Sequence, residues 1–222
     1  MFENEQVVKS KIEPTYFSQV IFYFGMAILS SALGTYIGFA YLIPVFVQMP
    51  ALMWILFAVE LILIFTSRAW STKKPINYLL FAAFSFITGL TLVPLLASII
   101  ISYGGPALII KEFLATVFMF SAAALFGWVT KIDLSGMRGF LWIALIGMIV
   151  VSVIGIFIPW GSTFEMVFSG IGVILFSAYT VYDFQQIKRM PFIAPMDAAL
   201  RLYLDIFNLF LFILRLLSAG RN

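Results

Sequence analysis

Two aspartates and a glutamate sit where lipid would surround them. Asp183, Asp205 and Glu60 lie within long apolar runs of a 222-residue chain. An ionisable side chain at bilayer depth costs about 3 kcal/mol or more, so each of these acids needs a partner or a function. Asp183 falls in Tyr182-Asp183-Phe184, and Asp205 in Leu202-Tyr203-Leu204-Asp205-Ile206-Phe207-Asn208. Each aspartate is 11 residues from Ala194, the middle of the loop between their two apolar segments. In an antiparallel hairpin that spacing puts them at similar depth, roughly 8–12 Å below the membrane boundary at 1.5 Å per residue. If the helix faces match, the carboxylates meet. Two carboxylates in a low dielectric cannot easily both ionise. They can share a proton, bind a cation, or be neutralised by an arginine or lysine. Each state would hold the two helices differently, which describes a pH- and cation-sensitive latch. The plainer alternative is that tyrosine, asparagine or backbone donors satisfy each acid. For Glu60, that alternative is a hydrogen bond to a neighbouring helix. Asp133 and Asp197 fall in expected loops and read as solvated charges.

The elements that must carry these acids follow from composition. Apolar residues make up 63% of the chain and charged residues 10%. Soluble domains run at about 45–50% and about 25%. With a mean hydropathy of +1.10, the chain cannot cover itself with polar surface, and its solvent must be lipid. Cysteine and histidine are both absent. Disulfides, thiolate nucleophiles, Cys or His metal sites, haem–His ligation and Ser–His catalysis are excluded. A pH response near neutrality must therefore come from a carboxylate or lysine shifted by its surroundings. The net charge of +3 reports loop lysines and arginines, and nucleic acid is not implied.

Apolar runs of about 20 residues mark membrane helices. They fall at 16–46, 51–67, 77–103, 107–129, 138–159 and 164–187, with a more polar seventh at 198–217. The expected organisation is a cytoplasmic N-terminal tail (1–15), a seven-helix membrane domain (16–217) and a C-terminal tail (218–222). Breaks carry turn or charge signals, among them Pro44 to Pro50, Gly104-Gly105-Pro106 and Pro159 to Gly161. With the N-terminus inside, ten lysines and arginines lie in inner segments. Lys111, Arg215 and Arg221 lie outside if the seventh segment spans. This bias predicts a multi-pass protein of the cell (inner or plasma) membrane with a cytoplasmic N-terminus. The seventh segment contains Asp205 and Asn208, so it belongs in the centre of a bundle. A re-entrant hairpin is the alternative. Gly25, Gly34 and Gly38 permit close helix approach, and Gly89 and Pro94 loosen or kink the third segment.

At these residues the chain resembles the Bax inhibitor-1 (transmembrane Bax inhibitor motif) family in its bacterial branch. The Tyr182–Ile187 and Leu202–Phe210 stretches are the most specific part of the likeness, joined by Gly89–Pro94 and Glu60. The resemblance implies an all-α membrane fold, six helices around a central seventh. It also implies a calcium leak controlled by a di-aspartyl pH sensor, matched here by Asp183 and Asp205. A basic residue after the second segment latches onto one sensor aspartate in bacterial relatives. The matching place here holds Ser71, with Arg68 and Lys73 nearby as latch candidates.

The expected function is a pH-sensitive, calcium-permeable leak channel gated by Asp183 and Asp205. Glu60, Asn208 and Tyr182 support the site as polar neighbours. Asp183 and Asp205 would also bind calcium transiently, since calcium takes six to eight oxygen ligands. The partners are then the lipid bilayer, calcium ions and protons. No cofactor and no enzymatic activity are expected, with calcium as the permeant ion. The alternatives are a proton-coupled transporter or a membrane-protein regulator without ion flux. An intramembrane aspartyl protease has the right chemical groups, but no Gly-x-Gly-Asp motif surrounds Asp205.

Overall fold

The computed structural model describes residues 2–103, 105–158, 160–189 and 193–220, with side chains from Tyr16 onward except that of residue 103. Among the described residues the chain is helical and contains no strand. The break at Pro159, Arg221 in the charge count, and the last two residues of the expected C-terminal tail lie outside them.

Helix positions follow the hydropathy pattern closely. The helices are α1 (Phe2–Ile37), α2 (Ile43–Gln48), α3 (Ala51–Phe65), α4 (Ser67–Trp70), α5 (Ile76–Tyr103), α6 (Ala107–Val129), α7 (Met137–Phe157), α8 (Ser162–Arg189) and α9 (Pro195–Ala219). Among the described residues, six spans are long and apolar enough to cross a membrane: Tyr16–Gln48, Ile76–Ser102 and helices α6 to α9. Helix α3 is shorter, 15 residues or about 22 Å. Helix α9 is one continuous helix of 25 residues, about 37 Å long, not a folded-back hairpin. The helix of the N-terminal segment already begins at Phe2.

The expected single helix over 16–46 is interrupted. A π-helical turn at Gly38–Leu42 separates α1 from α2, and Pro44 occupies the first turn of α2. Proline has no N–H to donate to the preceding turn, so the first turn of a helix, where that N–H would have no partner, accommodates it best.

The chain divides into two units. The first comprises residues 1–105 and 191–203. Its frame is the pairing of α1 with α5. Gly34 lies against the Phe86 carbonyl and Gly89 against the Ser31 carbonyl, so each helix offers a glycine to the other's backbone. Hydroxyls reinforce the seam. Ser30 donates to the Ala82 carbonyl at 2.8 Å, and Thr35 donates to the Gly89 carbonyl at 3.0 Å. Small residues at both surfaces let backbones approach and gain dispersion contacts where lipid offers no hydrophobic drive. Gly89 thus serves packing, and Pro94 sits within an unbroken α5. Gly38 faces Val93 and Leu90, whereas Gly25 faces open space. A cluster of Phe46, Leu90 and Val93 closes the end of this unit near α2 and α3.

The second unit comprises residues 106–190 and 204–222. Leu108, Glu112, Thr116, Phe120, Ala123 and Gly127 form the buried face of α6. Gly127 meets the Val181 carbonyl of α8, and Phe120 meets Phe184 edge to face. Gly172 of α8 lies under the ring of Phe212 in α9. Helix α7 is mostly exposed, with Phe140, Ile143 and Phe157 each at least 68% open. That apolar surface suits lipid.

Candidate functional site

The last turns of α8 differ from the rest of that helix. Six consecutive residues, Tyr182 to Ile187, are buried, so the helix is enclosed on every side there. Three of the six are Asp183, Gln185 and Gln186, an unusual load of polar groups for an enclosed helix. The neighbours of Gln185 account for part of it. Its amide donates to the Ile132 carbonyl at 2.7 Å, and its carbonyl oxygen accepts from the Leu134 N–H at 2.9 Å. The α6–α7 loop is thereby fastened to the end of α8. Lys188 adds a bond to the Trp128 carbonyl at 2.6 Å, and Arg189 pairs with Asp133 at 2.7 Å. Asp133 also accepts from the Ser135 N–H. The bonds from Ser135, with Arg189 beside them, hold the Asp133 carboxyl below the usual carboxylate range. Its loop position is the expected one, but its charge is engaged.

Asp183 and Asp205 are 5% and 4% exposed. Asp183 stands about 9 Å before the end of α8, and Asp205 about 15 Å after the start of α9, at 1.5 Å per residue. Tyr179, one turn before Asp183 on α8, feels the charge of both aspartates. Both acids and this phenol therefore share one neighbourhood within the second unit. Tyr182 is also buried. Asn208 is half-buried and bonds its own helix, donating to the Leu204 carbonyl at 2.7 Å. Beyond it, an apolar cleft of about 200 Å³ is lined by Met148, Ser152, Phe176, Asn208 and Phe212. Among the described residues no three acidic side chains form a metal-binding cluster. Two carboxylates are what this neighbourhood can offer a cation, and other oxygens would have to be neutral.

Glu60 belongs to the first unit. It is buried on α3 and accepts from the Thr91 hydroxyl of α5 at 2.8 Å. Thr91 begins a polar line along α5 made of Thr91, Thr88 and Ser85, spaced three apart on one helix face. The Thr88 hydroxyl contacts the phenol of Tyr203 on α9. Among the latch candidates, Arg68 and Lys73 are exposed and Ser71 is buried. The Ser71 carbonyl accepts from Asn77 at 3.0 Å.

Sequence reasoning missed Glu112, which is wholly buried on α6. It follows Lys111 near the start of a span, where a hydrated pair of charges is ordinary. The helix turns Lys111 outward and Glu112 inward. The Ser85–Thr88–Thr91 line was also missed, although its three-residue spacing is visible in the sequence.

The family model described as "Inhibitor of apoptosis-promoting Bax1" matches residues 13–222. An uncharacterized protein of Campylobacter jejuni is 34% identical over 98% of this chain and 93% of its own length. The inner membrane protein YbhL of Escherichia coli is 35% identical over 72% of this chain and 71% of its own. A membrane protein of Streptococcus pyogenes is 32% identical over 93% of both. The match extends from the start of the first apolar helix through both buried-aspartate helices, and on that ground the chain belongs to the Bax inhibitor-1 family.

Proposed function

We propose that this chain is a pH-sensitive, calcium-permeable leak channel of a bacterial inner membrane, gated by Asp183 and Asp205. The observation that carries the reading is the burial of both carboxylates around Tyr179. Charges that reach one phenol in a low dielectric oppose each other's ionisation. At higher pH both aspartates ionise, then repel or bind a cation, and α8 and α9 rearrange to open the path. At lower pH a shared proton joins them and the path closes. Calcium is the cargo. Asp183, Asp205, Asn208, Tyr182, carbonyls and water would ligate it weakly, and weak binding suits conduction because the ion must also leave. Arg68 or Lys73 would act as the latch on one of the aspartates.

In the same reading α9 is the shielded seventh helix among six, and the N-terminus is cytoplasmic. The burial of Leu202, Leu209, Phe212 and Leu214 along α9 supports the first point. The lysine and arginine bias supports the second.

The test is calcium flux into dye-loaded liposomes over a range of pH for wild type, Asp183→Asn and Asp205→Asn. A bias of about 1.4 kcal/mol on the closed–open equilibrium changes the ratio of states about tenfold. Wild-type flux is expected to rise about that much from acid to neutral pH, and each variant to lose the dependence. No flux above protein-free liposomes from folded protein would sink the channel and favour a transporter or regulator.

A further inference from the structure

The channel reading gives the buried carboxylate of Glu60 no role beyond that of a supporting polar neighbour. Its Oε1 accepts from Thr91, whose single hydroxyl proton has a second acceptor, the Thr88 carbonyl at 3.1 Å. One turn back, the Thr88 hydroxyl faces the same choice. It can donate to the Ser85 carbonyl at 2.8 Å or meet the phenol of Tyr203, and either oxygen of the Thr88–Tyr203 pair can be the donor. The phenol in turn reaches the Ser85 carbonyl at 3.5 Å and the Ser31 side chain of α1. Tyr203 is 1% exposed, and the edges and faces of Phe81 and Phe84 confine its ring. A ring so enclosed moves little, and the freedom left to this line is the direction in which its O–H bonds point. The groups facing Glu60 are Thr91 from α5 and, through its field, Tyr203 from α9.

We propose that Glu60 is a proton-binding site whose charge state sets the direction of the Thr88–Tyr203 hydrogen bond, so that a protonation on α3 is felt on α9. With Glu60 ionised, Thr91 donates to the carboxylate. The anion's field draws the Tyr203 proton into Thr88 Oγ1, and Thr88 donates to the Ser85 carbonyl. When the carboxylate takes one proton from water, its new O–H donates to Thr91 Oγ1. The Thr91 proton then turns to the Thr88 carbonyl. With the field gone, Thr88 donates to Tyr203, whose proton turns to Ser31 or the Ser85 carbonyl. One proton enters, no other O–H bond breaks, and Tyr203 remains a neutral phenol throughout. Tyr203 precedes Asp205 by two residues in α9, so the signal arrives on the helix that carries half of the aspartate pair. The coupling holds whether or not the chain conducts ions.

Infrared difference spectroscopy of the full chain in lipid vesicles, titrated in pH, tests this without measuring flux. A protonated-carboxyl band lost in Glu60→Gln is expected to appear as pH falls. A tyrosine C–O band lost in Tyr203→Phe is expected to shift in step with it. Glu60→Gln, a neutral mimic, is expected to hold the Tyr203 band at its acid position at every pH. Thr88→Val is expected to keep the carboxyl titration and lose the tyrosine shift, and Thr88→Ser to restore it. A Tyr203 band that stays fixed while Glu60 titrates overturns the proposal. So does the absence of any titrating band assigned to Glu60, or coupling that survives in Thr88→Val.

Discussion

At Asp133 an exposed carboxylate fastens a loop to a helix end, and the cost of protonating it follows from its bonds. Donors from Ser135, and then Arg189, favour the charged form, so its folded pKa lies below its unfolded value. A group of this kind contributes stability that is present above the unfolded pKa and lost as pH falls through the folded pKa. Wild type is therefore expected to melt above Asp133→Asn at neutral pH, with the gap closing in acid below the normal aspartate range. A gap that persists unchanged in strong acid would mean that charge is not what Asp133 contributes. The same scale shows what kind of residue can be found by reading alone. Asp183, Asp205 and Glu60 stand out because an acid in an apolar run is costly wherever the run folds. Thr88 and Tyr203 do not, because 115 residues separate the two hydroxyls and nothing local links them. Glu112 was hidden by its neighbour Lys111, and only the rotation of α6 tells the two apart.

Among the helices, glycine has opposite consequences at two positions. Alanine is the better helix former by about 1 kcal/mol. Gly25 has open space where a methyl group would go, so Gly25→Ala is expected to stabilise by up to about 1 kcal/mol. At Gly89 the added carbon would drive into the Ser31 carbonyl. The α1–α5 seam would have to part, and Gly89→Ala is expected to lose about 1–3 kcal/mol. Thermal unfolding of both variants in the same detergent checks the signs, and two shifts of like direction would contradict the seam. Hydropathy located α5 to within a residue, and the span Tyr16–Gln48 that α1 opens to within two. It could not say which of Gly25, Gly34 and Gly38 meets a partner, since that depends on which face of α1 turns toward α5. Nor did it show that α1 gives way to a π-helical turn before Pro44.

For the chain as a whole, the absence of cysteine makes topology directly measurable. Single variants Lys73→Cys and Ser135→Cys are expected to react with an impermeant thiol reagent from the cytoplasmic side. Gly161→Cys and Gly220→Cys are expected to react from the opposite side. Labelling of Gly220→Cys from the cytoplasm would remove α9 from the spanning helices. Sequence by itself determined the solvent, the place of most apolar helices, the excluded chemistries and which acids stand within apolar runs, because each of these is a local property of composition and spacing. Tertiary structure decided which faces meet. It enclosed Tyr182 to Ile187 of α8, bound the α6–α7 loop to Gln185, put Tyr179 within reach of both aspartates, and lined up Glu60, Thr91, Thr88 and Tyr203 from three helices. Those outcomes depend on helix rotation and on close backbone approach at glycine. Both are settled by packing between segments far apart in the chain, and no stretch of the sequence encodes them alone.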